Sequence, residues 1–358
     1  MKRCLEWYAG PESGGSGGSI PPFDLGSRMR LQGAIMTRFL KIMFFCACTL
    51  CSITRGVADS VTSMHIAFWS TNVYSATVIL DNGVYKMWYG GWESPGQWND
   101  AIYYRTSADG VNWSNPQTVV VPGKVLTGAV DANDPTVTKH YNAISKQYQY
   151  TMFYTLCVAP CNGDPSNNQT WSAVSSDGVF WQYHKRLMTT HGASEPSAII
   201  AGPQQDGTFW QVYYMDVAGT NKQVSMANVS GDRTVLQQRA VYTTNQTLAN
   251  PEVRQIGGQW VLFTNVYTPQ GRADIYNIQS NSNLSWAGEL QPVVVNSGPA
   301  ICATFAPGVL PITGNTYAMY FGNTHTNPST SACSSSQSTS MQAWTLQLSN
   351  ASVPGSKH

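Results

Sequence analysis

From about residue 64 onward the chain alternates between two kinds of segment. Short runs rich in Tyr, Trp, Phe, Val and Ile are separated by clusters of Gly, Pro, Asn, Asp and Ser, the pattern of strands joined by tight turns. The pattern is self-similar. A turn-then-strand motif recurs every 55–61 residues as Ser75-Ala76-Thr77-Val78, Asp134-Pro135-Thr136-Val137, Glu195-Pro196-Ser197-Ala198, Asn250-Pro251-Glu252-Val253 and Ala306-Pro307-Gly308-Val309. Each copy is followed by an aromatic strand (Tyr85 to Tyr89, Tyr148 to Tyr154, Trp210 to Met215, Trp260 to Phe263, Tyr317 to Phe321) and then by another strand such as Ala101 to Arg105. A repeat of this length marks an array of identical supersecondary units. Four short strands per unit make one blade of a β-propeller. The expectation is an all-β, five-bladed β-propeller over residues 64–350, with the first residue of every repeat aimed into one shared pocket.

The fifth repeat is one strand short. After Met341 to Ser349 only a polar tail with Pro354 and Gly355 remains, whereas Met64 to Ser70 is a strand with no repeat of its own. The N-terminal strand, about 64–70, is therefore expected to complete the last blade and close the ring, leaving no open sheet edge. Two turns, Ser107-Ala108-Asp109-Gly110-Val111-Asn112-Trp113 and Ser175-Ser176-Asp177-Gly178-Val179-Phe180-Trp181, share one spacing, and a worn copy ends at Trp286. Their Asp-Gly steps supply turn geometry, which assigns these acids a structural role on the face away from the pocket.

Composition narrows the partners. Charged residues are 11% of the chain and the formal net charge is +1, so there is no electrostatic footprint for nucleic acid. A surface of Ser, Thr, Asn, Gln and aromatic side chains suits neutral, hydroxyl-rich ligands instead. Met36 to Ala58 reads as a signal peptide, with Arg38 and Lys41 before the apolar stretch Ile42 to Ile53 and a small-residue site at Gly56-Val57-Ala58. The apolar stretch is shorter than the roughly 20 residues a membrane span requires. Residues 1–35, with their Gly/Ser run, read as a disordered extension or an expression scar. The expected product is a secreted or periplasmic monomer.

Cys4, Cys46, Cys48 and Cys51 fall in this leader, leaving Cys157, Cys161, Cys302 and Cys333. An even number in an exported chain argues for two disulfides, and three pairings are possible. The repeat puts Cys157 and Cys161 in one loop of the second blade, and Cys302 and Cys333 in loops flanking the fifth. This favours 157–161 and 302–333. A zinc site lacks paired C-x-x-C spacing. The histidines show no metal-binding spacing either, so no cofactor is expected, although a structural ion held by carbonyls in the channel is compatible with the sequence.

The X-Pro-x-Val-like strand starts, the Met87-Trp88-Tyr89 strand and the Ser-x-Asp-Gly-x-x-Trp turns resemble the five-bladed propeller glycoside hydrolases of families 43, 32 and 68, over roughly residues 64–350. Sialidases have a related turn, but with one more residue before its Gly, and they use an arginine triad not evident here. The resemblance implies three carboxylates at the inner-strand starts of blades one to three: a base or nucleophile, a residue tuning the acid, and the acid. Asp134 matches the tuning residue and Glu195 the general acid. The blade-one position is Ser75, a departure from the family.

Glycoside cleavage uses two carboxyl groups of opposite protonation, and Ser75 is a poor substitute without an adjacent base. Asp100, Asp131 and Glu93, in top loops beside blade one, are the replacement candidates. Trp92 and Trp98, in the Gly/Pro-rich loop 90–100, are candidates to stack on sugar rings. Asn72, Asn133, Asn250, Tyr267 and His325, with Trp69, Tyr154, Asp216 and Asn265, fall at pocket-side positions. Glu252 is expected to form a structural ion pair with Arg254 or Arg272. The function that follows is carboxylate acid catalysis on arabinan-, xylan- or fructan-type glycosides. The alternatives are a non-catalytic sugar-binding propeller, which Ser75 favours, and a protein-interaction scaffold.

Overall fold

The computed structural model describes residues 59–349 except 95, 98, 144, 162–166, 189–191, 217–221, 268–272, 296–300 and 326–337. The readings made for residues 1–58, for Trp98, for Arg272 and for Cys333 lie outside these residues, as do those for the side chains of Cys302 and His325.

Five four-stranded antiparallel sheets follow the repeat. Blade one holds β2 (Asn72–Asp81), β3 (Val84–Trp92), β4 (Ala101–Ser107) and β5 (Gln117–Val120), followed by one helical turn, α1 (Pro122–Val125). Blade two is β6 (Ala129–Asn142), β7 (Gln147–Val158), β8 (Asn168–Ser175) and β9 (Gln182–Arg186). Blade three is β10 (Ala193–Ile200), β11 (Thr208–Asp216), β12 (Gln223–Ser230) and β13 (Val235–Thr243). Blade four is β14 (Thr247–Ile256), β15 (Gln259–Tyr267), β16 (Ala273–Ser280) and β17 (Gln291–Val294). Blade five takes β18 (Ile301–Thr313), β19 (Thr316–His325) and β20 (Ser340–Gln347) from the end of the chain, and β1 (Ser60–Trp69) from its beginning. The closing strand is longer than the sequence suggested. It runs antiparallel to β20, from Ser60 opposite Gln347 to Trp69 opposite Ser340.

The apolar faces of neighbouring blades pack on each other, giving five cores between blades. Blades one and two bury Trp88, Ile102 and Tyr104 against Val137, Met152 and Tyr154. Blades five and one bury Tyr320, Met341 and Ala343 against Val73, Val78 and Met87. The Ser-x-Asp-Gly turns tie the array together from below. Asp109 Oδ1 accepts the amides of Val111 and Asn112, both at 2.8 Å, and Asp177 Oδ1 those of Val179 and Phe180 at 2.8 and 2.9 Å. Both carboxyls lie below the usual carboxylate range: on Asp109 the bond from the Asn112 amide is the largest cause, and on Asp177 burial is the largest single influence but the bonds together outweigh it. The indole of Trp88 donates to Gly178 O at 2.7 Å, so a buried side chain of blade one locks the turn of blade two.

Candidate active site

The first residues of the five repeats meet at one cavity. Ser75, Asp134, Glu195, Asn250 and Ala306 line it together with Pro135, Pro196, Pro251 and Pro307. They are not the first residues of their strands, as the sequence suggested. Each sits inside an inner strand, at a break in register with the second strand: between Tyr74 and Thr77, Asn133 and Thr136, Ser194 and Ser197, Ala249 and Glu252, and Phe305 and Gly308. All five adopt left-handed backbone angles, with φ of 52° at Ser75, 50° at Asp134, 55° at Glu195, 49° at Asn250 and 51° at Ala306. A non-glycine residue in this region costs roughly 1 kcal/mol or more. Ala306 has no polar side chain to offset it, so the tertiary structure imposes the conformation. Bulges of this kind bend a strand and re-aim a side chain, here toward the axis of the ring.

A hydrogen-bond chain runs around the cavity. Ser75 Oγ donates to Asp134 Oδ1 at 2.5 Å. The Thr155 hydroxyl bonds the Asp134 carboxyl and accepts the amide of Glu195 at 2.8 Å. Asn250 touches both acids: its amide N–H donates to Glu195 Oε2 at 2.6 Å and its side-chain Nδ2 to Asp134 Oδ1 at 3.4 Å. On the far side Asn265 Oδ1 accepts the amide of Ala306 at 2.7 Å. Thr155 and Asn265 hold equivalent places in β7 and β15, opposite Asn133 and Ala249, and each caps the bulge of the next blade. Burial pushes the Asp134 carboxyl up to about 6, against the lowering effect of the Ser75 and Thr155 bonds. Glu195 is half-buried.

Below this ring Glu252 is 5% exposed and paired with Arg254 at 2.7 Å, one of the two partners expected from sequence. It also accepts from Ser197 Oγ at 2.7 Å and from the Val309 amide at 3.1 Å. Burial raises its pKa, against Arg254 and these two bonds. Ser197 Oγ and Thr136 Oγ1 in turn accept the amides of Val253 and Ala198, at 3.0 and 3.1 Å. Glu252 is thus the fourth blade's member of a structural ring that stitches inner strands together.

The acids proposed to replace a blade-one carboxylate divide clearly. Glu93 is committed to Arg105 at 3.0 Å, to the Ser70 hydroxyl at 2.5 Å and to Tyr89, clamping β1, β3 and β4 together. Asp131 accepts the amide of Asp100 at 2.9 Å and lies beside the Cys157–Cys161 disulfide. Its proximity to two sulfurs does not make a metal site, because those sulfurs are bonded to each other. Asp100 is buried and accepts from Tyr74 Oη and, at 3.2 Å, from Asn133 Nδ2. Burial, with the Asp131 charge, raises it to about 7. Tyr74 and Asn133 immediately precede Ser75 and Asp134, so Asp100 braces the cavity from behind. The sequence reading missed Tyr74 and Thr155. Tyr74 could have been found, since it holds the place in blade one that Asn133 holds in blade two. Thr155 leaves no mark in a strand of similar residues.

The expected sugar-stacking walls are corrected in several places. Trp92 ends β3 opposite Asn72 and is 4% exposed, so its ring is packed in the blade. Asn72 is fully buried and its Oδ1 accepts the Ser338 amide at 3.0 Å, fastening the segment before β20. Tyr154 is fully buried with its hydroxyl 2.9 Å from His184 Nδ1, and Trp69 lies on the outer strand β1. Trp92, Asn72 and Tyr154 face blade interiors, whereas Trp69 is exposed; strand periodicity leaves open which side of a blade meets its neighbour. Tyr267 is better placed, packing with Tyr74 on the cluster of Ala303, Phe305 and Ala306 at the cavity's edge.

Solved structures share this architecture. The fold is that of the five-bladed propeller glycoside hydrolases. The catalytic domain of a GH62 α-L-arabinofuranosidase from Coprinopsis cinerea superposes with a TM-score of 0.58 and 11% identity, covering 82% of this chain and 98% of that one. A GH43 endo-arabinanase from Bacillus licheniformis gives 0.51 and 14%, covering 77% and 95%. An exo-β-1,3-galactanase from Phanerochaete chrysosporium gives 0.52 and 14%, covering 80% of this chain and 64% of that one. No protein-family model and no curated protein matches the sequence.

Proposed function

We propose that the protein is an exported glycoside hydrolase, with Glu195 as the acid that protonates the leaving oxygen and Asp134 as the charge that sets its proton affinity. The observation that carries this reading is the convergence of two carboxyls from different blades on one cavity, both held by Asn250. A carboxyl that stays protonated while its neighbour is ionised is the arrangement glycoside cleavage requires. The propeller neighbours act on arabinofuranosides, arabinan and galactan by their names, which supports the arabinan-type member of the expected substrates. The Cys157–Cys161 disulfide and the N-terminal apolar stretch support export.

The deciding experiment is a panel of nitrophenyl glycosides and plant polysaccharides with wild type and Glu195→Gln. Loss of the acid should lower turnover of natural glycosides by about 10²–10⁴-fold, and by much less on nitrophenyl glycosides, whose leaving group scarcely needs a proton. Turnover unaffected by Glu195→Gln would refute the assignment. Ser75 at the blade-one position favours a second reading, a sugar-binding propeller without catalysis. Saturable sugar binding with no hydrolysis of any panel member would select it.

A further inference from the structure

The cavity holds a hydroxyl where a third carboxylate would be expected, and that hydroxyl is bonded to the next carboxylate round the ring. Building on the hydrolase reading above, we propose that Ser75 and Asp134 act together as the general base, Ser75 passing the proton of the attacking water to Asp134. The Ser75 hydroxyl donates to Asp134 Oδ1 at 2.5 Å. Since a hydroxyl donates one hydrogen bond and accepts two, its oxygen can still accept from a water standing in the cavity that both residues line. The relay needs no further base, and none adjoins Ser75 in sequence.

The step balances. As the water oxygen bonds to the anomeric carbon, the water gives a proton to Ser75 Oγ, and Ser75 gives its own to Asp134 Oδ1. The bond from that carbon to the leaving oxygen breaks with its electron pair, and Glu195 supplies the proton that oxygen takes. One water is consumed and nothing is oxidised or reduced. Asp134 gains a proton as Glu195 loses one, so the charge of the pair is unchanged.

Three features of the cavity suit this role. Asn250 Nδ2 shares Oδ1 with the Ser75 hydroxyl, at 3.4 Å, and Thr155 bonds the same carboxyl, so the group is held in place beside Ser75. Burial makes Asp134 a stronger base than a surface aspartate while leaving it largely ionised at neutral pH, and a base with pKa near the working pH is the efficient kind. Ser75 and Glu195 belong to blades one and three, with Asp134 between them. The attacking water and the acid therefore reach the sugar from different sides of the cavity.

The test uses the full-length protein and the panel member on which wild type turns over fastest. Ser75→Ala should fold, because Ala306 already occupies the equivalent left-handed position; its melting curve confirms this. It should lose about 10²–10⁴-fold in kcat. Asp134→Asn should lose a similar factor, and the double variant no more than the worse single one, since residues acting as one unit are not additive. Ser75→Asp, which places a base directly at the water, should restore turnover with its acidic limb moved to lower pH. The first product formed should carry the inverted anomeric configuration by NMR. Full activity in Ser75→Ala, independent losses in the double variant, or a retained anomer would overturn the relay while leaving Glu195 as the acid. A wild type that hydrolyses nothing on the panel refutes the relay and the hydrolase reading together.

Discussion

Asp134 carries its charge against its surroundings, and this has a measurable consequence for stability. Its pKa is raised from 3.8 to about 6 by burial, so the folded state favours the protonated form. The stability contributed by that proton is complete below the unfolded value and is lost as pH rises through about 6. Asp134→Asn, which imitates the protonated form, should leave the melting temperature little changed at pH 4 and raise it by a few degrees at pH 8. Thermal melts of both proteins across that range check this. An unchanged difference at all pH values would mean that the charge is fully compensated by Ser75, Thr155 and Asn250.

Among the elements, the five inner strands are held by devices specific to each seam. Trp88 reaches from β3 into the turn after β8. Trp88→Phe removes that bond and leaves the Gly178 carbonyl without it, which should cost about 1–3 kcal/mol in denaturant unfolding. At the seam between the last and first blades, two glycines lie against the backbone of the neighbouring blade. A Cβ at Gly308 would stand 1.6 Å from Ala76 O, and one at Gly322 would stand 2.5 Å from Val73 O. Both obstacles are backbone, so they cannot swing away. Gly308→Ala should force blades five and one apart, lowering the melting temperature and the yield of folded protein far more than Gly314→Ala. Gly314 has open space around it despite its positive φ of 53°. Equal effects at the two sites would show that the close approach is not limiting.

For the whole molecule, closure is the dominant event. Strand β1 completes blade five, and Asp59 just before it gathers both ends of the ring. Its carboxylate accepts from Tyr317 Oη at 2.6 Å, Asn277 Nδ2 at 2.8 Å and the Ser349 amide at 2.9 Å. A chain beginning at Ser70 lacks this latch and exposes the edge of β20. It should no longer unfold in the single cooperative transition of the longer chain, and it should tend to self-associate through that edge. Calorimetry and light scattering on the two chains test this directly. If the shortened chain melts as the longer one does, closure by β1 contributes nothing to stability.

Blade number, blade boundaries and the borrowed closing strand were legible in the sequence, because each blade is a local hairpin stack whose turn residues and alternating strands are contiguous in the chain. The convergence of Ser75, Asp134, Glu195 and Asn250 was legible for the same reason, as a repeat places equivalent residues at equivalent points of a ring. What the tertiary structure decided is how those residues are aimed. The left-handed bulge appears in no propensity, least of all at Ala306, since it is imposed by packing one inner strand against the next. It also decided that Trp92, Asn72 and Tyr154 face blade interiors, because an aromatic strand reads alike whichever side its neighbour covers. The Ser75–Asp134 bond joins residues 59 positions apart. Sequence showed a missing carboxylate there, and only the closed ring showed which carboxylate the serine touches.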